Sequence, residues 1–265
     1  WELRIARAAL DLTQGAVSDF HSDGAWEMAG TEPPATLANR TATRGLLYAL
    51  LGRQSEAKRD LDAVGLTIGP EAQRRLPRVL YLEGFVGMIA KDVARLQPLV
   101  TRMNAADMKN DFAARPNETK PYLAGTLLAA KGQYAAAYKK LMEGYRARDD
   151  ASFAPVFLLT LARVALANND LVNAAAHCEE IVKPPAYSPL RAAALPPCWG
   201  LLADVRDRQN RPEEAKKNAR AFLLAWKDSA IEIPELLMAR RIAGPLVGSE
   251  KKTEEKEKRG EEEER

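Results

Sequence analysis

Apolar residues recur at intervals of three and four along most of the chain, as in "LYALLGRQSEAKRDL" at 47–61 and "LLAAKGQYAAAYKKL" at 127–141. This spacing is typical of amphipathic α-helices, because residues three and four apart share one helix face. Each stretch has a Gly at its centre, where one helix ends and the next begins. No segment shows the alternation of a β-strand. The pattern predicts an all-α protein made of helical hairpins.

The hairpins recur with a regular period. Successive turns lie 37, 39, 41, 37 and 41 residues apart, and the predicted turn residues are Gly15, Gly52, Lys91, Gly132, Asn169 and Asn210. Four of these turns are followed five positions later by Ala, namely Ala57, Ala137, Ala174 and Ala215. Small residues stand seven positions before the turns at Gly45, Gly84, Gly125, Ala162 and Ala203. The Lys91 hairpin has Leu96 in place of the Ala, and the first hairpin has Ala8 and Phe20.

Close packing of antiparallel helices explains these small residues. Two helices joined by a short turn approach closely only where small side chains meet. Larger apolar residues then fill the space between hairpins, at Leu61, Leu141 and Cys178 nine positions after the turns and at Val64, Met103, Ile181 and Phe222 twelve positions after them. We expect all of these residues to be buried.

The repeats resemble tetratricopeptide repeats over most of residues 40–228. The matching sets are Leu158, Leu161, Ala162, Ala174 and Ile181; Trp199, Leu202, Ala203 and Ala215; and Gly45, Tyr48, Gly52 and Ala57. The resemblance implies a right-handed superhelical α-solenoid over residues 1–248, with a C-terminal capping helix at 234–246. The period is longer than the family's usual one, and Arg206 replaces the usual aromatic residue.

The segment at 210–243 carries a narrower resemblance. It is similar to the C-terminal end of the tetratricopeptide regions of bacterial serine/threonine kinases and winged-helix signalling proteins, and the matching residues are Phe222, Leu223, Trp226, Lys227, Asp228, Ile233 and Pro234. This resemblance implies the sensory or scaffold region of a larger signalling protein. A stand-alone scaffold or assembly factor is the alternative. Because the chain begins with Trp1 rather than Met, we favour a fragment of a longer protein.

Charge and hydropathy restrict the classes of partner that the chain is expected to bind. The net charge is +3, and the charges are scattered rather than gathered in a basic stripe, so nucleic acid is not expected. No apolar run is long enough to span a membrane. Residues 249–265 contain almost only charged residues, and we expect a solvated tail there.

The chain has few residues of the types that bind metals or catalyse reactions. The chain has two histidines, His21 and His177, and neither has a metal-ligand partner at a suitable spacing. Nucleotide-binding, nucleophile-elbow and kinase motifs are missing from the sequence. We therefore expect no enzymatic activity, no metal and no cofactor, and a kinase domain, if one belongs to the protein, lies outside this chain.

The concave face of a solenoid is the expected site for a protein or peptide partner. Its candidate residues are Tyr81, Phe85, Tyr122, Thr126, Arg163, Asp204 and Asp207. The alternative is that the aromatic residues pack between hairpins and the charged residues face solvent. A groove that clamps a terminal carboxylate is disfavoured, because the corresponding positions hold Ala42 and Leu46.

Cys178 and Cys198 lie on adjacent predicted helices and are expected to be neighbours. Two buried free thiols in a cytosolic protein are one interpretation. A disulfide between repeats in an extracytoplasmic sensory region is the other, and the sequence leaves the compartment open.

Overall fold

The structure, a computed structural model, describes residues 33–73, 76–104, 115–149, 151–183, 188–226 and 234–244. Within these ranges the chain is helical and has no β-strand, which confirms the all-α prediction for this part of the chain. The helices are α1 Pro34–Leu50, α2 Gln54–Gln73, α3 Pro77–Ile89, α4 Val93–Met103, α5 Pro116–Ala130, α6 Tyr134–Ala147, α7 Ala154–Ala167, α8 Leu171–Val182, α9 Pro189–Arg208, α10 Pro212–Ala225 and α11 Pro234–Ala243. A short 3-10 helix, Ala151–Phe153, precedes α7.

The first ten helices pair into hairpins, from α1–α2 to α9–α10. The predicted turn residues Gly52, Lys91, Gly132, Asn169 and Asn210 all have positive φ, between 53° and 81°. The next residue donates its N–H to a carbonyl near the end of the first helix, as Arg53 does to Tyr48 at 2.8 Å. This Schellman arrangement satisfies carbonyls at the helix end and requires a left-handed residue. The turn predicted at Gly15 and the charged tail lie outside the described residues.

The small residues at the hairpin crossings are buried. The alanines five positions after the turns, Ala57, Ala137, Ala174 and Ala215, are at most 1% exposed. A Cβ atom added to Gly125 would lie 2.6 Å from Leu141 Cγ and 3.1 Å from the carbonyl oxygen of Ala137. The larger apolar residues predicted between hairpins, Leu61, Leu141, Cys178, Val64, Met103, Ile181 and Phe222, are also at most 1% exposed. The predicted burial of these residues is confirmed.

The Lys91 hairpin packs differently from the prediction. A Cβ atom on Gly84 would lie 2.6 Å from the Tyr122 ring, so Gly84 faces α5 of the next hairpin. Gly87 instead faces Leu96, because a Cβ atom there would lie 2.7 Å from Leu96 Cγ. Since Leu96 replaces the small Ala of the other repeats, the glycine nearer the turn provides the space.

We call the first helix of each hairpin (α1, α3, α5, α7 and α9) an inner helix and the second an outer helix. Helices α3 and α7 are apolar on nearly all sides, and in α7 the residues from Pro155 to Ala165 are buried except for the half-buried Arg163. Helices with this composition are found in protein interiors. Accordingly, α1–α3, α3–α5 and α7–α9 pack together, and α9 also packs against α1. The first and fifth described hairpins are therefore in contact.

Helix α11 begins at Pro234, as predicted, and packs against α9 and α10. Leu236 and Ala239 face this contact and are buried, whereas Leu237 is 67% exposed. The helix was predicted to continue to residue 246 but ends at Ala243, because Gly244 has a φ of 67°. A left-handed glycine in this position terminates a helix.

Candidate functional site

Four of the predicted partner-binding residues lie in the interior. Tyr81, Phe85, Tyr122 and Thr126 are all 0% exposed. Because the inner helices pack on one another, these four side chains do not form an accessible surface in this structure. The alternative interpretation, in which the aromatic residues pack between hairpins, describes these positions.

The buried tyrosines belong to an aromatic cluster formed by Tyr81, Tyr122, Phe153 and Phe157. Tyr81 stacks on Phe153 with ring centroids 4.6 Å apart, and Tyr122 meets Phe157 edge to face at 4.9 Å. This last contact joins α5 to α7. Each such aromatic pair contributes about 0.5–1.5 kcal/mol beyond its burial. The sequence did not indicate the two phenylalanines, because both lie further from the Asn169 turn than Arg163, the residue of that helix expected on the concave face.

The hydroxyl groups of the aromatic cluster have few hydrogen-bond partners. Tyr122 Oη lies 3.4 Å from the Tyr81 carbonyl oxygen and 3.4 Å from Thr160 Oγ1. Tyr81 Oη has no hydrogen-bond partner among the described residues. Burial raises the pKa of both tyrosines, so both stay neutral. A buried hydroxyl without a partner costs about 1–3 kcal/mol.

Glu118, in the first turn of α5, adds a carboxyl group beside this cluster, and it is 2% exposed. Its Oε1 lies 3.4 Å from Arg115 Nη1, whereas its Oε2 has no hydrogen-bond partner among the described residues. Burial raises the pKa of Glu118, and Arg115, the Tyr81 hydroxyl and the Asp149 backbone oppose this shift. The Tyr81 hydroxyl is thus near enough to affect the carboxyl group, although not at hydrogen-bonding geometry. The sequence carries no signal for this burial, because a Glu at a helix start is usually exposed.

Arg163, Asp204 and Asp207 reach the surface, with side chains 20%, 14% and 46% exposed. Both terminal nitrogens of Arg163 lie 3.4 Å from Glu235 Oε1, and Asp207 lies 3.6 Å from Arg241. Glu235 and Arg241 belong to α11. Helix α11 therefore forms ion pairs with two of the predicted partner-binding residues.

Asp204 is paired within its own helix. It accepts hydrogen bonds from Arg208 Nε at 3.0 Å and from Arg208 Nη2 at 2.8 Å. Arg208 lies one turn further along α9 and is about half exposed. Among the described residues, Arg163 and Asp207 thus both pair with α11, whereas Asp204 pairs with Arg208 of its own helix.

The two cysteines are both buried and free. Burial raises the pKa of Cys198, Cys178 raises it further, and Arg163 lowers it. Cys178 and Cys198 are therefore neighbours across the contact between α8 and α9, as expected from the sequence. The raised pKa keeps Cys198 protonated and weakly reactive.

Two hydrogen bonds join the outer helices α6 and α8. Tyr138 Oη lies 2.8 Å from His177 Nε2, and Tyr145 Oη donates to Glu180 Oε1 at 2.7 Å. Burial lowers the pKa of His177. In the described ranges, no group of three or more His, Cys, Asp and Glu residues is arranged to hold a metal ion. His21 lies outside those ranges.

None of the helices that the structure describes has both the length and the apolar composition to cross a bilayer. Comparisons of the chain with protein-family models, with curated proteins and with solved structures gave no significant match. What the chain does is therefore inferred from its own residues.

Proposed function

We propose that the chain is a non-catalytic protein–protein interaction module, built as a right-handed tetratricopeptide-like α-solenoid in which α11 is the capping helix. The observation that supports this proposal is the repetition of one hairpin design. A left-handed turn residue followed by a buried Ala five positions later occurs at Ala57, Ala137, Ala174 and Ala215. Stacked helical hairpins of this kind create extended surfaces that bind other proteins.

The partner surface that we propose contains Arg163, Asp204 and Asp207, the candidate residues that reach solvent. The aromatic candidates are excluded from it by their burial. Asp207 and Arg241 are 46% and 71% exposed, and an exposed pair of this kind contributes at most about 1 kcal/mol. A charged partner group can therefore replace Arg241 beside Asp207 at little cost.

An interaction module of a larger bacterial signalling protein is the biological role that we propose for this surface. Its support is the resemblance of the segment at 210–243 to the end of the tetratricopeptide regions in such proteins. The coding sequence upstream of the Trp1 codon tests this part of the proposal. A kinase or winged-helix region there agrees with it, and an initiation codon immediately before Trp1 contradicts it.

The binding surface is tested with two triple variants. The first replaces Arg163, Asp204 and Asp207 with Ala, and the matched control replaces Lys139, Lys140 and Glu143 on the outer helix α6. Partners are captured by chemical cross-linking in the cells that produce the protein and are quantified by mass spectrometry. We expect the first variant to lose a partner that the control retains, with unchanged circular dichroism for both.

Two outcomes contradict the proposed function. Retention of every partner by the first variant moves the site away from α7 and α9. Hydrolase or phosphotransfer turnover by purified residues 1–248 contradicts the non-catalytic role.

A further inference from the structure

We propose that Glu118 and the neighbouring rings of Tyr81 and Phe153 form a binding site for a guanidinium group, and that the chain's own Arg115 occupies this site until an arginine of a partner protein replaces it. The inference rests on the proposed interaction function and adds a second, buried contact for the partner, apart from the surface of Arg163, Asp204 and Asp207.

Two polar atoms of the site have unused hydrogen-bonding capacity. Glu118 Oε2 and Tyr81 Oη are both buried without a hydrogen-bond partner among the described residues. Arg115 approaches the other carboxylate oxygen, Oε1, with one nitrogen at 3.4 Å. A guanidinium group carries five N–H donors in a planar fork that matches both oxygens of a carboxylate. The site therefore holds more acceptors than Arg115 uses in this contact.

Aromatic rings lie beside the guanidinium group of Arg115. The guanidinium carbon of Arg115 lies 5.9 Å from the centre of the Phe153 ring. Phe153 in turn stacks on Tyr81, with ring centroids 4.6 Å apart. Cations are attracted to the faces of aromatic rings, and this attraction is stronger where water is excluded. The carboxylate and the rings therefore favour the same ligand, a planar cation.

Arg115 lies between the buried carboxyl group of Glu118 and solvent. The side chain of Arg115 is 34% exposed, whereas that of Glu118 is 2% exposed. Solvent therefore meets the site at Arg115. In the proposed exchange, the incoming arginine reaches the carboxylate by displacing the Arg115 side chain.

The backbone at Arg115 has an unusual, left-handed conformation. Arg115 has a φ of 50° and a ψ of 59°, and among the described residues it is the one with positive φ that is neither a glycine nor a hairpin turn. It also precedes Pro116, and residues before proline favour extended backbone. A left-handed arginine in this position is strained, and strained backbone of this kind is concentrated at functional sites.

The test uses the full chain and argininamide as the probe. Citrullinamide, which has nearly the same shape and a neutral side chain, is the matched ligand control, and sodium chloride controls for ionic strength. Binding is measured by the shift in melting temperature as the ligand concentration increases. We expect argininamide to raise the melting temperature of the wild-type chain and citrullinamide to leave it unchanged.

Three variants assign the effect to the site. Glu118→Gln should bind argininamide at least about tenfold more weakly, because the buried charge is lost. Arg115→Ser should bind it more tightly, because the internal competitor is gone. Arg211→Ser, which alters an exposed ion pair with Glu214, should bind it as the wild type does.

An equal response to argininamide and citrullinamide, or an undiminished response in Glu118→Gln, overturns the proposal. If Glu118→Gln does not fold, Tyr81→Phe replaces it, since this variant loses only a hydroxyl without a hydrogen-bond partner and should weaken binding several-fold. Undiminished binding by Tyr81→Phe then overturns the proposal. The assay needs no native partner, so its failure is distinct from failure of the surface variants that test the proposed function.

Discussion

Replacing Gly125 with Ala tests whether the small residues at the hairpin crossings are required. The new Cβ atom would lie 2.6 Å from Leu141 Cγ and 3.1 Å from the carbonyl oxygen of Ala137. The first atom is the branch point of a side chain that is 0% exposed, and the second belongs to the backbone of α6. Neither can rotate away, so α5 and α6 must move apart to accept one methyl group.

Gly200 provides the matched control, because it is also buried within an inner helix. A Cβ atom there would lie 3.6 Å from the nearest atoms of Phe222, which is ordinary van der Waals contact. Replacing a helical Gly with Ala stabilises a protein by about 0.5–1 kcal/mol. Overpacking a core costs about 1–3 kcal/mol. We therefore expect Gly200→Ala to be stabilised and Gly125→Ala to be about 1–3 kcal/mol less stable than Gly200→Ala.

Urea unfolding followed by far-ultraviolet circular dichroism measures both free energies of unfolding. The comparison is meaningful if the dependence on urea concentration is the same in both variants. Equal stability of Gly125→Ala and Gly200→Ala would refute the conclusion that close approach of α5 and α6 requires a glycine.

Three further results are expected. Arg44→Met should lower the free energy of unfolding by about 3 kcal/mol in urea, because it leaves the carboxylate of Asp60, which is 1% exposed, without its bidentate partner. The lowered pKa of His177 means that the unfolded chain binds a proton at a higher pH than the folded chain, so stability should fall as the pH drops below about 6.5, and His177→Gln should remove this part of the dependence. Cys178 and Cys198 should resist a thiol reagent in the native protein and both react after unfolding without reductant.

Each of these results has an outcome that contradicts it. For Arg44, the control is Arg211→Met in an ion pair that is about half exposed, and an equal loss in the two variants would show that the burial of Asp60 has no effect. An unchanged pH dependence in His177→Gln would assign the loss of stability to other groups. Absence of free thiols after unfolding would establish the disulfide and an oxidising compartment.

The turns and crossings could be predicted from the sequence because they depend on local geometry. A left-handed turn restricts the residue type at Asn169, and the helix crossing that follows it requires a small side chain at Ala174. Both restrictions arise within one hairpin and do not depend on the rest of the fold. The burial of Tyr81 and Tyr122 depends instead on contacts between different hairpins, such as those of both rings with Phe157. A local signal for it was present, since α3 and the part of α5 from Pro121 to Ala130 lack a polar stripe. Nothing comparable marks Glu118, whose burial depends on the aromatic cluster beside it.

The contact between α1 and α9 has a consequence for folding. In an open array of repeats each unit touches only its neighbours, so units can unfold from one end and stability grows roughly as a sum of nearest-neighbour terms. Here the first described hairpin also stabilises the fifth, through contacts that are distant in the sequence. Such contacts slow folding, because a long loop must close before they form. They also couple the two ends of the array, so loss of the first hairpin weakens the fifth and unfolding becomes more nearly a single cooperative transition.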